Sequence, residues 1–299
     1  MSLRHQVELV SVFAAGPGGG NPAPIVIDAA GMSDTEMQAV ARRYGHESGF
    51  VLPAAPGSNC DYEFRFWVPN HEMSMCGHAT VGAVWLLHQK GHLRRDRLTL
   101  QTRSGEVAVR ISGYTNQGAA VEISQPVGRV EPLPQPQLSQ DAILDALGIS
   151  RAQIAPLPIQ NACTSRVKTL IPLISSAVLD ALRPRFDKIE AVCERIGSTG
   201  LYPYAIADAG RQIFDARQFP RASGYPEDPA TGIAASALSF GLLANGMVEA
   251  STRTITVRQG RSMKRPSQIS VRFSVESGRV NGCWLGGPVC FETRVGALS

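Results

Sequence analysis

Three side chains in this sequence, Glu47, His78 and Asp228, are of the types that transfer protons in enzymes. Moving a proton between two carbons beside an unsaturated or carboxylated centre requires one group that first accepts the proton and then returns it. A carboxylate in an apolar cleft can do this, because burial raises the pKa of a carboxyl group toward neutrality. The apolar run Gly49–Val51 follows Glu47. Glu47 is therefore the candidate acid/base, although an exposed glutamate after a helix would have the same neighbours.

His78 and Asp228 each have two interpretations. His78 stands beside Gly77 at the start of a predicted helix, where its imidazole can donate to a substrate oxygen or be hydrogen bonded within the fold. Asp228 precedes a second predicted helix, and aspartate is a preferred capping residue, so catalysis and capping are both open. Cys76, just before Gly77, is interpreted as a small buried hydrophobic residue.

The two predicted helices belong to an internal repeat, formed by segments 72–91 and 227–246. Each segment begins with a glutamate, has a glycine five residues later and a second glycine fourteen residues after that. The matched residues are Glu72, Gly77 and Gly91 in the first segment and Glu227, Gly232 and Gly246 in the second. Each segment therefore predicts a loop, a glycine, a helix of about three turns and a glycine that ends the helix. The alternative is that the match arises by chance, because glycines are common at the ends of helices and strands.

The surroundings of these helices predict the architecture. Both helices are apolar nearly all round, so each must be enclosed on every side, and strand-rich sequence lies on both sides of each. We therefore predict an α+β protein of two pseudo-symmetric lobes, each a curled, mostly antiparallel sheet wrapped around a central buried helix. A cleft between the lobes would be flanked by the two helix N-termini, whose unpaired N–H groups favour an anion such as a substrate carboxylate.

Other elements follow from local signals. Ser33 and Glu36 have capping-box spacing and Gly45 is a stop signal, which predicts a helix between them. Ser139 is predicted to cap a short helix that ends at Gly148. Four prolines between 126 and 136 make that stretch the best linker. The predicted domains are therefore 1–128 and 129–299, with a terminal strand that could cross back to the first lobe.

Several motifs, in order and over nearly the whole chain, resemble the phenazine-biosynthesis PhzF-like family. They are Asn21–Val26, Tyr44–Val51, Cys76–Thr80, Glu227–Gly232, Gln259–Gly260 and Arg265–Ser267. The resemblance implies the diaminopimelate-epimerase-like fold, a cofactor-independent isomerase of the trans-2,3-dihydro-3-hydroxyanthranilate type, and a homodimer. It implies catalysis by Glu47, His78 and Asp228, with a small carboxylate substrate held at Asn21, Gly77, Gly232 and Ile233.

Two positions depart from the family pattern. Ile233 stands where serine is common, which removes a hydroxyl from the implied anion site. Cys76 stands where related racemases and epimerases of this fold have their first catalytic cysteine, but Thr231 occupies the position of their second. An amino-acid racemase or epimerase using Cys76 is therefore the competing enzyme, and a non-catalytic binding protein of the family is the competing non-enzyme.

Composition excludes other classes. The 299 residues carry a formal charge of +4, and no basic stripe with interleaved aromatics predicts a nucleic-acid partner. The six cysteines form no C-x-x-C motif, and no secretory signal or apolar run of membrane-spanning length occurs. We therefore expect reduced thiols, a cytoplasmic location, no membrane association and no cofactor. We also expect no metal, although four histidines lie close together in the sequence, namely His71, His78, His88 and His92.

Overall fold

The computed structural model of the protein describes residues 5–115 and 118–292, which contain eighteen strands and six α-helices. In chain order these are β1 (Glu8–Val12), β2 (Asn21–Val26), α1 (Asp34–Tyr44), β3 (Ser48–Pro53), β4 (Tyr62–Trp67), β5 (Glu72–Met73), α2 (Gly77–Gln89), β6 (Arg97–Thr102), β7 (Gly105–Thr115), β8 (Gly118–Gln125), β9 (Arg129–Pro132), α3 (Pro136–Leu147), β10 (Gln160–Cys163), β11 (Val167–Leu173), α4 (Ser176–Ala181), α5 (Phe186–Arg195), β12 (Gly200–Asp208), β13 (Ile213–Ala216), β14 (Phe219–Pro220), α6 (Gly232–Ala244), β15 (Ile255–Gln259), β16 (Ser267–Glu276), β17 (Arg279–Gly286) and β18 (Val289–Phe291). The segment Asn116–Gly118 is a turn signal in the sequence, but Asn116 and Gln117 lie outside the described residues.

The chain divides into two compact units. Unit 1 comprises the residues up to Ser124 together with those from Gly286 onward, and unit 2 comprises Gln125–Leu285. The predicted domain boundary was at 128/129, and the segment from Gly286 onward had been assigned to the C-terminal domain with a possible return to the first lobe. Strand β18 of that segment pairs antiparallel with β1, and Val12 lies opposite Val289.

The strands of unit 1 follow the order β18-β1-β2-β3-β4-β6-β7-β8, with the short β5 beside β4. Those of unit 2 follow the order β9-β10-β11-β12-β13-β15-β16, with β14 beside β12. Parallel pairs occur at matched places, namely β2–β3 and β4–β6 in unit 1 and β11–β12 and β13–β15 in unit 2. The internal order of pairing is therefore duplicated, and the sheets are mostly antiparallel.

One helix lies at the centre of each unit. Helices α2 and α6 both have 13 residues, begin at the matched glycines Gly77 and Gly232, and end two residues before Gly91 and Gly246. Helix α2 contacts β1, β2, β3 and β18, and α6 contacts β9, β10, β11 and β16. The predicted fold class, an α+β protein with a buried helix inside each of two similar halves, is confirmed.

The N-terminal signals of α1 are also confirmed. Ser33 accepts a hydrogen bond from the N–H of Glu36 at 3.3 Å, and Oε2 of Glu36 accepts from the N–H of Ser33 at 2.8 Å. At the other end, Gly45 adopts a left-handed conformation with φ of 67°, which glycine tolerates without a Cβ penalty. This turn matters because Glu47 comes directly after it.

One local prediction was wrong. Helix α3 begins at Pro136, so Ser139 lies inside its first turn and does not cap it; its hydroxyl hydrogen bonds to the Pro134 carbonyl. Proline is well suited to the first turn of a helix because its fixed φ is helical and its missing N–H would have no partner there. The predicted linker 126–136 contains strand β9, which pairs with β10.

Candidate functional site

The candidate site in unit 1 begins with Glu47, which lies between α1 and β3. The N–H of Gly45 donates to the Ala41 carbonyl at 2.9 Å and closes the last turn of α1. Ser48, the next residue after Glu47, is fully buried, and its hydroxyl donates to the His46 carbonyl at 3.1 Å. Glu47 is therefore held on a short turn between a helix stop and a buried strand.

Cys76 and His78 lie at the start of the central helix α2. Cys76 occupies the N-cap position, but its side chain makes no capping hydrogen bond. Its carbonyl instead accepts from the N–H and the hydroxyl of Thr80, at 3.0 and 2.7 Å. His78 is the second residue of the helix, and both Cys76 and His78 are buried. The helix start therefore fixes two chemically active side chains on a rigid element.

These three side chains form one cluster. The Cys76 thiol donates to Oε2 of Glu47 at 3.0 Å, and its Sγ lies 3.4 Å from Nδ1 of His78. Nδ1 of His78 lies 3.5 Å from the same Glu47 oxygen. The Glu47 side chain is 19 % exposed, compared with 8 % for His78. The interpretation of Cys76 as only a small hydrophobic residue was therefore incomplete.

The protonation of His78 is set mainly by its burial. Burial lowers the pKa of His78 below the usual value for histidine, and the Glu47 charge and the Pro22 backbone only partly oppose this effect. The neutral imidazole is therefore favoured at neutral pH. Asn21, predicted to bind substrate, is buried at the start of β2 beside this Pro22.

Asp228, the catalytic residue predicted in unit 2, lies in a second hydrogen-bond network. The hydroxyl of Thr231, the N-cap residue of α6, donates to Oδ2 of Asp228. Nε2 of Gln259 donates to the Asp228 carbonyl at 2.6 Å, and the Tyr202 hydroxyl donates to Oε1 of Gln259 at 3.0 Å. Burial, followed by the charge of Asp228, raises the pKa of Tyr202, so its phenol remains a neutral donor.

The two glycines predicted to hold a carboxylate, Gly77 and Gly232, are the first residues of α2 and α6. Both are buried. A Cβ on Gly232 would lie 2.7 Å from Cδ2 of Leu285, so this helix start is closely packed. Ile233, at the position where the family commonly has serine, is partly buried. The predicted residues are thus grouped as Asn21, Glu47, Gly77 and His78 in unit 1 and Asp228, Gly232 and Ile233 in unit 2.

The glutamate that begins each repeat is held by an arginine that the sequence analysis missed. Arg65 makes two hydrogen bonds to Glu72, at 2.7 and 2.8 Å, and Arg217 makes two to Glu227, at 2.9 and 2.8 Å. Both arginines also lie over an aromatic ring two residues along the chain, that of Trp67 or Phe219. The repeated Arg-x-aromatic pattern could have revealed these pairs, which anchor the loops before α2 and α6.

Comparison with known proteins gives a consistent result. The family model described as "Phenazine biosynthesis-like protein" matches residues 10–283. The chain is 30% identical to an uncharacterized isomerase, YddE, of Escherichia coli K12, with 95% of each chain covered. It is also 30% identical to trans-2,3-dihydro-3-hydroxyanthranilate isomerase of Pseudomonas chlororaphis, with 90% of each chain covered.

Solved structures show the same fold. A PhzF-family phenazine biosynthesis protein of Bacillus anthracis superposes with a TM-score of 0.82 at 25% identity, covering 95% of this chain and 96% of that one. A probable proline racemase of Agrobacterium radiobacter superposes with a TM-score of 0.64 at 13% identity, covering 96% and 91%. The second likeness concerns the fold alone. Within the described residues, no helix is long and apolar enough to span a membrane.

Proposed function

Because the chain belongs to the family of phenazine biosynthesis-like proteins and is an isomerase of that family, we propose that it moves a proton within a small unsaturated carboxylic acid. Glu47 is the group that accepts the proton from one carbon and returns it to another. The electron pair moves through the conjugated system while the proton is on Glu47, so substrate and product are isomers and no oxidant, reductant or cofactor is consumed.

The arrangement of Glu47 between Cys76 and His78 carries this proposal. The Glu47 carboxylate contacts two buried groups, and its side chain is 19 % exposed. A substrate can therefore reach the carboxylate while the contacts with Cys76 and His78 fix its orientation. His78, neutral because burial lowers its pKa, can act as a hydrogen-bond donor to a substrate oxygen. A reversible proton transfer needs a hydrogen-bond donor beside a carboxylate that can accept and return the proton.

The substrate class is inferred from the relative whose reaction is named. That relative is a trans-2,3-dihydro-3-hydroxyanthranilate isomerase, and we propose a related dihydro-hydroxyanthranilate-type acid for this chain. Because helix N-termini favour anions, we propose the backbone N–H groups at Gly77, at the start of α2, as the contact for its carboxylate, and those at Gly232, at the start of α6, as a second candidate for the same role. Asn21, Asp228 and Ile233 are proposed as further substrate contacts. The homodimer and the cytoplasmic location stay predictions from the sequence.

The test is the variant Glu47→Gln, which keeps the shape of the side chain but cannot carry the proton. We expect the rate on trans-2,3-dihydro-3-hydroxyanthranilate to fall at least about 10²-fold, with the melting temperature nearly unchanged. Glu63→Gln, a partly buried glutamate of β4 in the same unit, is the control and should keep the wild-type rate. Substantial activity in Glu47→Gln would refute the role of Glu47.

The racemase alternative is favoured by one observation, the contact of Cys76 with both His78 and Glu47. A two-base racemase, however, needs a second base at Thr231, whose hydroxyl donates to Asp228. We expect no deuterium at the α-carbon of proline, hydroxyproline or diaminopimelate in heavy water. Exchange that is lost in Cys76→Ala and kept in Glu47→Gln would establish the racemase. Tight acid binding without any turnover would instead indicate the non-catalytic binding protein.

A further inference from the structure

We propose that Glu47, Cys76 and His78 bind one Zn²⁺ ion and that this ion inhibits the enzyme. The three side chains bring a carboxylate oxygen, a sulfur and a ring nitrogen within 4.8 Å of one another. The binding part of this inference concerns the cluster alone. The inhibition part rests on the proposed function of Glu47.

Two of the three distances within the cluster match a tetrahedral zinc site, and the third is shorter. With Zn–S of about 2.3 Å and Zn–N and Zn–O of about 2.0–2.2 Å, tetrahedral angles separate neighbouring ligand atoms by about 3.3–3.6 Å. The sulfur–nitrogen and nitrogen–oxygen distances here are 3.4 and 3.5 Å. The sulfur–oxygen distance is 3.0 Å, the length of the hydrogen bond that a metal would replace. The Cys76 sulfur and the Glu47 oxygen must therefore move apart to accept the ion, whereas the other two pairs are already at the required separation.

The donor set selects the metal. One imidazole, one thiolate and one carboxylate suit zinc, whereas Mg²⁺ and Ca²⁺ prefer sites built from oxygen alone. Binding replaces the thiol proton of Cys76 with the metal, and the proton passes to solvent. No electron is transferred. Three protein ligands leave a fourth position for water, as in open zinc sites.

Access to the cluster and its consequence follow from Glu47. Its side chain is the most exposed of the three at 19 %, so the ion can enter from that side. Once Oε2 of Glu47 coordinates zinc, that oxygen cannot accept a proton from a substrate carbon. Zinc should therefore abolish the isomerisation at full occupancy, and removal of zinc should restore it.

The binding test uses the full chain, stripped of metal, and Zn²⁺ alone in competition with a chromophoric chelator. We expect one equivalent of zinc, and at least about tenfold weaker binding in each of Cys76→Ala, His78→Gln and Glu47→Gln, since even indirect supports of a metal ligand cost 10–100-fold. Exposed residues provide the controls Cys290→Ala and His71→Gln, which should bind as the wild type does. Co²⁺ should give a sulfur-to-metal charge-transfer band that is absent only in Cys76→Ala.

The activity test separates this inference from the proposed function. Zinc should inhibit turnover of trans-2,3-dihydro-3-hydroxyanthranilate, with full recovery after chelation. One equivalent of tightly bound zinc in a protein without isomerase activity would support the site and refute the function. The opposite outcome would support the function and refute the zinc site. In that case activity resists the chelator and is lost in Glu47→Gln, while wild type and Cys76→Ala bind zinc equally. Activity that increases with zinc would overturn the inhibitory role.

Discussion

The thiol of Cys76 donates a hydrogen bond to Oε2 of Glu47 across 3.0 Å, although 29 residues separate the two in the chain. The contact joins the start of the central helix α2 to the turn that precedes β3. It therefore couples the buried central helix of unit 1 to the carboxylate proposed to carry the proton.

Loss of this hydrogen bond should slow the reaction without stopping it. Hydrogen bonds to charged groups contribute about 1.5–3 kcal/mol, and a thiol is a weak donor. We therefore expect Cys76→Ala to lower kcat roughly tenfold, and Cys76→Ser, which keeps a donor, to retain more of the rate. The rates are measured with a chelator present. Equal rates in Cys76→Ala and wild type would mean that the contact only packs the site.

The stability of the protein should depend on pH through His78. Burial lowers the pKa of His78 in the folded state. Below about pH 6.5 the imidazole is therefore protonated in the unfolded chain but stays neutral in the folded chain. The contribution of His78 is therefore complete above that pH and decreases as the pH falls. Between pH 7.5 and 5.0 we expect wild type to lose up to about 2 kcal/mol more unfolding free energy than His78→Gln.

Urea unfolding at the two pH values measures this difference. His71→Gln, at an exposed position, serves as the control and should follow the wild-type pH dependence. If His78→Gln loses as much stability on acidification as wild type does, the buried imidazole is not the group responsible.

The ion pair of Arg217 and Glu227 should show strong coupling. The two side chains are only 7 % and 10 % exposed, and removal of one partner leaves a buried charge at a cost of about 3–5 kcal/mol. We expect Glu227→Leu to destabilise by about this amount and the double variant Arg217→Met with Glu227→Leu to be much less destabilised than the sum. Asp141→Ala, which breaks the exposed pair with Arg151, should cost less than about 1 kcal/mol.

Ile233 should report on the proposed carboxylate site. Ile233→Ser adds a hydroxyl to the first turn of α6, and we expect roughly tenfold tighter binding of dihydro-hydroxyanthranilate-type acids, the scale of one hydrogen bond to a charged group. Ile233→Val, which shortens the side chain without adding a donor, is the matched control. Calorimetric titration gives both affinities. Unchanged or weaker binding in Ile233→Ser would indicate a more apolar ligand.

Sequence patterns predicted the elements that depend on local chemistry. The spacing of Gly77 and Gly91, repeated at Gly232 and Gly246, predicted both central helices, because an all-round apolar segment between glycines has few other solutions. Pro184, a residue that disfavours the helix interior, lies between α4 and α5. Such features are determined by neighbours in the chain.

The missed features depend on contacts that local patterns do not encode. Glu47 and Cys76 are both adjacent to predicted element ends, but their meeting depends on how β3 and α2 pack, which no periodicity reveals. The partners are seven residues apart in the pair Arg65–Glu72 and ten apart in the pair Arg217–Glu227, so a repeat search based on fixed spacing passed over them.

The pairing of β18 with β1 has a consequence for the nascent chain during its synthesis. Strand β1 is synthesised before the whole of Gln125–Leu285, whereas its neighbour Val289–Phe291 is synthesised after it. At about 5–20 residues per second, a ribosome needs roughly ten to thirty seconds to make that stretch. During this interval the outer edge of β1 presents unpaired N–H and C=O groups. The vulnerable moment for misassembly between nascent chains is thus set by the position of one three-residue strand.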